Sequence, residues 1–171
     1  MSNKLNLGCH TRIRPGYMNI DKAEYPGVNI VADVAKLDML NESADEIYAS
    51  NILEHFSHTR TLEILKDWYR ILAVDGVLKI SVPDFDRTVE IYHKRGLCPW
   101  VVNILWGDQG YDGANHYCAF NEETLTALLK QAGFKDVSRV ERLPGNQSGE
   151  CSNLVSTIDN KLACLNMVAV K

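Results

Sequence analysis

The residues best suited to chemistry lie at the ends of short apolar runs. The first run, residues 4–9, closes on Gly8 and Cys9, with His10 next. The second, 17–21, closes on Asp21, and the third, 28–34, on Asp33 and Val34. Glycine at such a point lets backbone approach a ligand closely. One carboxylate can take two hydrogen bonds from a ribose diol, and a second can accept from an adenine amino group beside a backbone N–H. Glycine, acid and acid at three successive strand ends is what an adenosine-bearing ligand needs. A fourth run ends at Ser50 and Asn51, with Glu54 and His55 close behind, and His116 lies in the stretch Asp112-Gly113-Ala114-Asn115-His116-Tyr117. Either imidazole can act as a base near neutral pH. The plain alternative for His55 is a structural histidine that hydrogen-bonds its own loop. Glu54 can cap the next helix or accept an ammonium group. Asp108 and Asp112 read as pocket groups or as ordinary surface aspartates.

The elements that must position these groups follow from pattern. Residues 28–34 are rich in β-branched side chains, and 46–50 and 77–82 are near-continuous apolar runs, as buried parallel strands are. Two more strands are expected over 135–141 and 164–170. Helices are expected over 59–72 (Leu62, Leu65, Tyr69 and Leu72 on one face), 84–95 (Phe85, Val89 and Tyr92) and 122–132 (Leu125, Leu128, Leu129 and Ala132). Asn121 caps the last and Gly133 closes it. Gly107, Gly110 and Gly113 mark a loop over the site, with Trp100 and Trp106 packed beneath it, and residues 144–149 read as loop. Strands that alternate with helices predict an α/β fold, Rossmann-like. Its twisted sheet is mostly parallel with an antiparallel C-terminal strand, in one domain over 1–171. Ligands of such sheets bind beyond the carboxyl ends of the strands.

Composition narrows the function. The 171 residues are 46% apolar and carry a net charge of −4, with no basic run, which argues against nucleic acid as a partner. No apolar run is long enough for a membrane span, and the opening residues lack a secretory pattern. Five cysteines without a C-x-x-C pair read as reduced thiols, hence a cytoplasmic setting. No ligand spacing supports a metal site, and none is expected.

Several segments together resemble class I S-adenosylmethionine-dependent methyltransferases of the type 11-like group. They are Leu5-Asn6-Leu7-Gly8-Cys9, the stretch from Pro15-Gly16 through Asn19-Ile20-Asp21, Ala32-Asp33-Val34, and Ala44 through Leu53-Glu54-His55. The turn Arg70-Ile71-Leu72-Ala73-Val74-Asp75-Gly76 and the segment from His116 to Phe134 continue the match. The resemblance implies S-adenosylmethionine as cofactor. Gly8 would line its methionine part, with Cys9 and His10 also binding the cofactor, Asp21 on the ribose, Asp33 and Val34 at the adenine, and Ala49, Ser50 and Asn51 beneath the sulfonium. It implies transfer of a methyl group, with His55 and His116 as candidate catalytic residues. The acceptor expected by default is a small molecule or a sugar.

The chain departs from that pattern at its front. His10 stands where a second glycine is usual, and Val74 and Asp75 replace the usual Pro and first Gly. The ~8 residues between the first two strands cannot hold a crossover helix. The sheet is thus three-layered with helices trimmed between its first strands. The cofactor carboxylate then needs another partner, Arg12 or Arg14, and the trimmed face needs a cover, from self-association or a partner chain. These departures also permit a non-catalytic binding or scaffold protein. A nicotinamide-dependent oxidoreductase is disfavoured, because Gly8 lacks the G-x-G-x-x-G pattern.

Overall fold

The computed structural model describes residues 3–111, 113–145, 156 and 159–171. Asp112, Cys151 and most of the expected 144–149 loop lie outside the described residues. Among the described residues seven strands form one sheet: β1 (Lys4–Leu7), β2 (Met18–Asp21), β3 (Ile30–Val31), β4 (Ala44–Ser50), β5 (Leu72–Pro83), β6 (Val137–Val140) and β7 (Cys164–Val170). Their order is β3-β2-β1-β4-β5-β7-β6. All neighbours are parallel up to β5, and β7 runs antiparallel to both β5 and β6. The helices are α1 (Thr61–Ile71), α2 (Phe85–Arg95), α3 (Pro99–Trp106) and α4 (Glu122–Ala132), with a 3₁₀ turn at Leu53–His55. No described helix is long and apolar enough to cross a membrane.

One sheet face is the core. Leu5, Ile47, Leu78 and Ala169 stand in register across four strands, and Leu7, Ala49, Ile80 and Met167 in a second row. All are buried beneath Ile64, Leu65 and Trp68 of α1 and Leu125 and Leu129 of α4. The opposite face is polar under the short connection 8–17, which contains no helix. Asn19, Asn6, Tyr48 and Lys79 cross it in register. Asn6 donates to Asn19 (2.8 Å) and to the Arg12 carbonyl (2.9 Å), and the Arg14 guanidinium lies 3.8 Å from the Tyr48 ring centroid. Arg14 also bonds the Gly145 carbonyl. Near the open end of this face Glu46 accepts from Tyr17 and from Lys79, with Lys4 3.6 Å away. A loop and a hydrogen-bonded polar layer therefore replace the missing helix over part of this face.

Four local expectations need correction. The third strand shrinks to Ile30–Val31, because only those residues find ladder partners on β2; Lys36 N–H closes a turn on the Asp33 carbonyl instead. The fifth strand reaches back to Leu72 through an irregularity in which Asp75 adopts φ 61°. Helix α2 buries Arg87, Thr88 and Ile91, while Phe85 and Tyr92 are exposed. Asp84 caps that face by accepting from Arg87 N–H, and Arg87 pairs with Asp159 and Glu90. Finally, a helix not expected from the sequence, α3, precedes the glycine-marked loop, with Pro99 in its first turn, where a missing N–H costs nothing. Trp106, at its end, is exposed instead of packed under a lid.

Candidate active site

A cavity of about 640 Å³ opens at the carboxyl ends of β1, β2 and β4. Gly8, Cys9, His10, Asp21, Asp33, Val34, Ser50, Asn51, His55 and His116 all line it, as do Arg12, Arg14, Glu54 and Asp108.

The front of the site is built on Gly8 and His10. Gly8 takes φ +64°, and a Cβ there would stand 2.5 Å from Cγ1 of Ile52. His10 also adopts positive φ, 45°, so the backbone keeps the turn that a glycine would make easily. The compensation is visible: His10 N–H donates to Asp21 Oδ2 at 2.7 Å, and its ring lies 4.4 Å from Tyr25 and 6.0 Å from Tyr111 between centroids. Asp21 Oδ1 accepts from Ala23 N–H at 3.0 Å. Each of its oxygens thus holds one backbone donor and keeps a lone pair for a ligand hydroxyl. Asp33 accepts from Ala35 N–H at 2.9 Å, and the Val34 carbonyl takes the Trp68 indole N–H at 2.8 Å. Those bonds set the loop at one wall of the cavity. The two arginines differ: Arg14 is buried among Tyr48, Tyr17 and Gly145, while Arg12 is exposed at the cavity. The Cys9 thiol is pushed up to about 11, by burial first and then by Asp21.

Ser50 and Asn51 form the floor. Asn51 adopts φ 52° and donates its N–H to the Ser81 carbonyl at 2.8 Å. Beyond it the 3₁₀ turn presents Glu54 and His55. Residues 113–117 return to the site, since His116 N–H bonds the Trp106 carbonyl (3.1 Å) and Tyr117 N–H bonds the Glu54 carbonyl (2.9 Å). His55 and His116, far apart in sequence, meet edge to face with centroids 4.8 Å apart. His55 Nδ1 faces the Asn115 carbonyl at 3.0 Å and His116 Nδ1 the Ile104 carbonyl at 2.8 Å. A carbonyl only accepts, so both rings carry a proton on Nδ1. Burial, followed by His116, holds His55 below the usual imidazole range, against the pull of the Asn115 and Asn51 carbonyls. Glu54 is 1% exposed and neither carboxylate oxygen has a hydrogen bond. Burial pushes it up to about 8, and the nearby Asn51 amide offsets this only in part. Glu54 is the group whose weight sequence reasoning missed. Tyr25, Tyr111 and Lys22, which also line the cavity, carried no sequence signal.

A family model described as a methyltransferase domain matches residues 5–139. The chain belongs to the methyltransferase domain family. That membership makes it an enzyme of the methyltransferase type. Solved methyltransferase structures share the fold. One is an S-adenosylmethionine-dependent methyltransferase from Archaeoglobus fulgidus, 16% identical, with a TM-score of 0.65 over 99% of this chain and 86% of that one. A Methanosarcina mazei methyltransferase is 18% identical, with a TM-score of 0.65 over 99% and 92%. The third is the 1,6-didemethyltoxoflavin-N1-methyltransferase of Burkholderia thailandensis, which holds 1,6-didemethyltoxoflavin and S-adenosylhomocysteine. It is 18% identical, with a TM-score of 0.59 over 99% and 71%. No protein of curated function matches the chain in sequence.

Proposed function

We propose that this methyltransferase carries a methyl group from S-adenosylmethionine to a small-molecule or sugar-type acceptor, with Asp21 on the ribose and the His55–His116 pair at the acceptor. The observation that carries the reading is the convergence of strand-end acids and paired histidines on one cavity. Asp21 offers two oxygens already aligned by His10 and Ala23 N–H groups. Asp33 and Val34 receive the adenine, Gly8 lets backbone pass close to the methionine chain, and exposed Arg12 pairs with the cofactor carboxylate. Ser50 and Asn51 support the sulfonium.

Methyl transfer needs an acceptor lone pair in line with the methyl–sulfur bond and a site that excludes water. A neutral imidazole beside the acceptor takes its proton. With Nδ1 committed to a carbonyl, Nε2 of His55 or His116 is the atom for that step. The cavity volume suits a cofactor plus a small acceptor better than a polymer. Among the described residues, the free thiols of Cys9, Cys98 and Cys118 fit a reducing, cytoplasmic setting. Exposed Ile30 and Val31 on edge strand β3 fit a second copy or a partner chain there.

Isothermal titration with S-adenosylmethionine and S-adenosylhomocysteine, on the native chain and on Asp21→Ala and Asp21→Asn, tests the reading. Micromolar binding that both substitutions abolish, in variants with native circular dichroism, is the expected result. A folded native chain that binds neither ligand refutes it.

A further inference from the structure

One group in the cavity is unaccounted for by methyl transfer alone. Glu54 places a fully buried carboxylate with no hydrogen-bond partner beside two imidazoles. One ligand atom from each of Glu54, His55 and His116 lies within 4.8 Å of the other two. Both Nδ1 atoms are donors to main-chain carbonyls, which leaves Nε2 of each ring as the atom that can offer a lone pair. Three electron-donating groups thus crowd together where water is scarce. A cation placed among them would satisfy all three at once. A histidine whose Nδ1–H is tied to a backbone carbonyl, with its other nitrogen free, has the orientation and tautomer that metal sites use.

We propose that Glu54, His55 and His116 bind one first-row divalent metal ion of the zinc type, and that this ion receives the hydroxyl of an oxygen acceptor. Two nitrogens and one carboxylate suit Zn²⁺ or its neighbours and do not suit Mg²⁺, which prefers an all-oxygen shell. Three protein ligands leave a fourth position open toward the cavity, the arrangement of catalytic zinc. The assignment of a hydroxyl acceptor rests on the methyl-transfer reading above. With the ion bound, both Nε2 atoms are ligands and the base role given to them above passes to the ion: it lowers the pKa of the acceptor hydroxyl at the open position, whose proton leaves to solvent. The acceptor oxygen's lone pair forms the new carbon–oxygen bond as the methyl carbon–sulfur bond breaks. The bonding pair returns to sulfur, and neutral S-adenosylhomocysteine leaves. The site is assembled from two distant segments, and the Tyr117 N–H bond to the Glu54 carbonyl holds them together.

The test uses the purified full chain, stripped with a chelator and then equilibrated separately with Zn²⁺ and with Mg²⁺. Elemental analysis and zinc titration are run on the native chain, on Glu54→Gln and on His116→Gln. The expected result is about one zinc per chain, no retained magnesium, and zinc affinity reduced more than about tenfold in each variant. Cobalt substitution provides a second readout: visible d–d bands without a thiolate charge-transfer band, lost in His116→Gln, place the ion on nitrogen and oxygen. A native chain that retains no zinc, or variants that retain it unchanged, overturns the proposal. So does a thiolate band, which puts the ion on cysteine. S-adenosylhomocysteine titration of the same samples separates the two readings. Zinc binding without cofactor binding removes the methyl-transfer reading alone, and cofactor binding without zinc removes the metal site alone.

Discussion

Replacing Gly8 by alanine strikes the point where β1 turns into the cavity. Two costs follow from the geometry. The residue sits at φ +64°, where a side chain costs roughly 1–2 kcal/mol. The new Cβ would also stand 2.5 Å from Cγ1, 2.6 Å from Cδ1 and 3.0 Å from Cβ of Ile52. Ile52 is only half-buried and can yield, so overpacking adds about 1–3 kcal/mol and not more. The backbone has little room to escape, because Gly8 and Cys9 N–H both bond the Ile20 carbonyl, at 2.9 and 3.2 Å. Gly8→Ala therefore destabilises by roughly 2–5 kcal/mol, read as a shift of the urea midpoint at constant slope. The Ile52→Ala background separates the two costs. There the clash is gone, and Gly8→Ala should cost only the backbone part, about 1–2 kcal/mol, so the double-mutant coupling is about 1–3 kcal/mol. An equal cost in both backgrounds refutes the clash with Ile52. A cost below about 0.5 kcal/mol in the native background refutes the whole argument for glycine at this turn.

Two further outcomes follow. Burial alone would raise Glu46, but the Tyr17 hydroxyl, Lys79 and Lys4 outweigh it and hold its pKa below the ordinary 4.5. A depressed folded pKa gives stability that is complete above the unfolded value and lost as pH falls through the folded one. The native chain should therefore weaken on acidification below about pH 4.5, and Glu46→Gln should flatten that limb of a pH–stability curve; an unchanged limb removes Glu46 from its origin. Cys9 and Cys118 are pushed up to about 11 and about 12, chiefly by burial, with Asp21 and Glu54 as the respective nearby charges. Alkylation at pH 8 with peptide mapping should find both at least about a hundredfold slower in the folded chain than in urea; comparable rates would show that neither thiol is shielded.

How much of this was legible in the sequence varied with what each element depends on. Helix α4 and strand β7 match their expected bounds. Their signals are local: the Asn121 cap, Gly133 with its left-handed φ, and an apolar stripe or run. Strand β3 was overread because β-branched residues mark strand preference, whereas a strand exists only where a neighbour pairs with it, and β2 offers two partners. The buried face of α2 was misread because an arginine held by Asp159 and Glu90 outcompetes Phe85 for the interior. Helix α3 went unseen because three following glycines dominated the reading of that stretch. In the site, Gly8, Asp21 and Asp33 were readable from their places at strand ends. The meeting of His55 with His116 was not, because it depends on a return of the chain fastened by main-chain bonds at Trp106 and Glu54. Sequence spacing carries no trace of such a bond.

Those same two bonds tie access to competence. His116 rides on the segment that roofs the cavity, and Tyr117 stitches that roof to the carbonyl of Glu54. Were the roof to lift for a product to depart, it would carry His116 away from His55 and dismantle the reacting end in the same movement. An open molecule would then be an idle one, with S-adenosylmethionine protected from stray nucleophiles until the next acceptor is enclosed. Exchange and chemistry would alternate by construction, as the two strokes of one cycle.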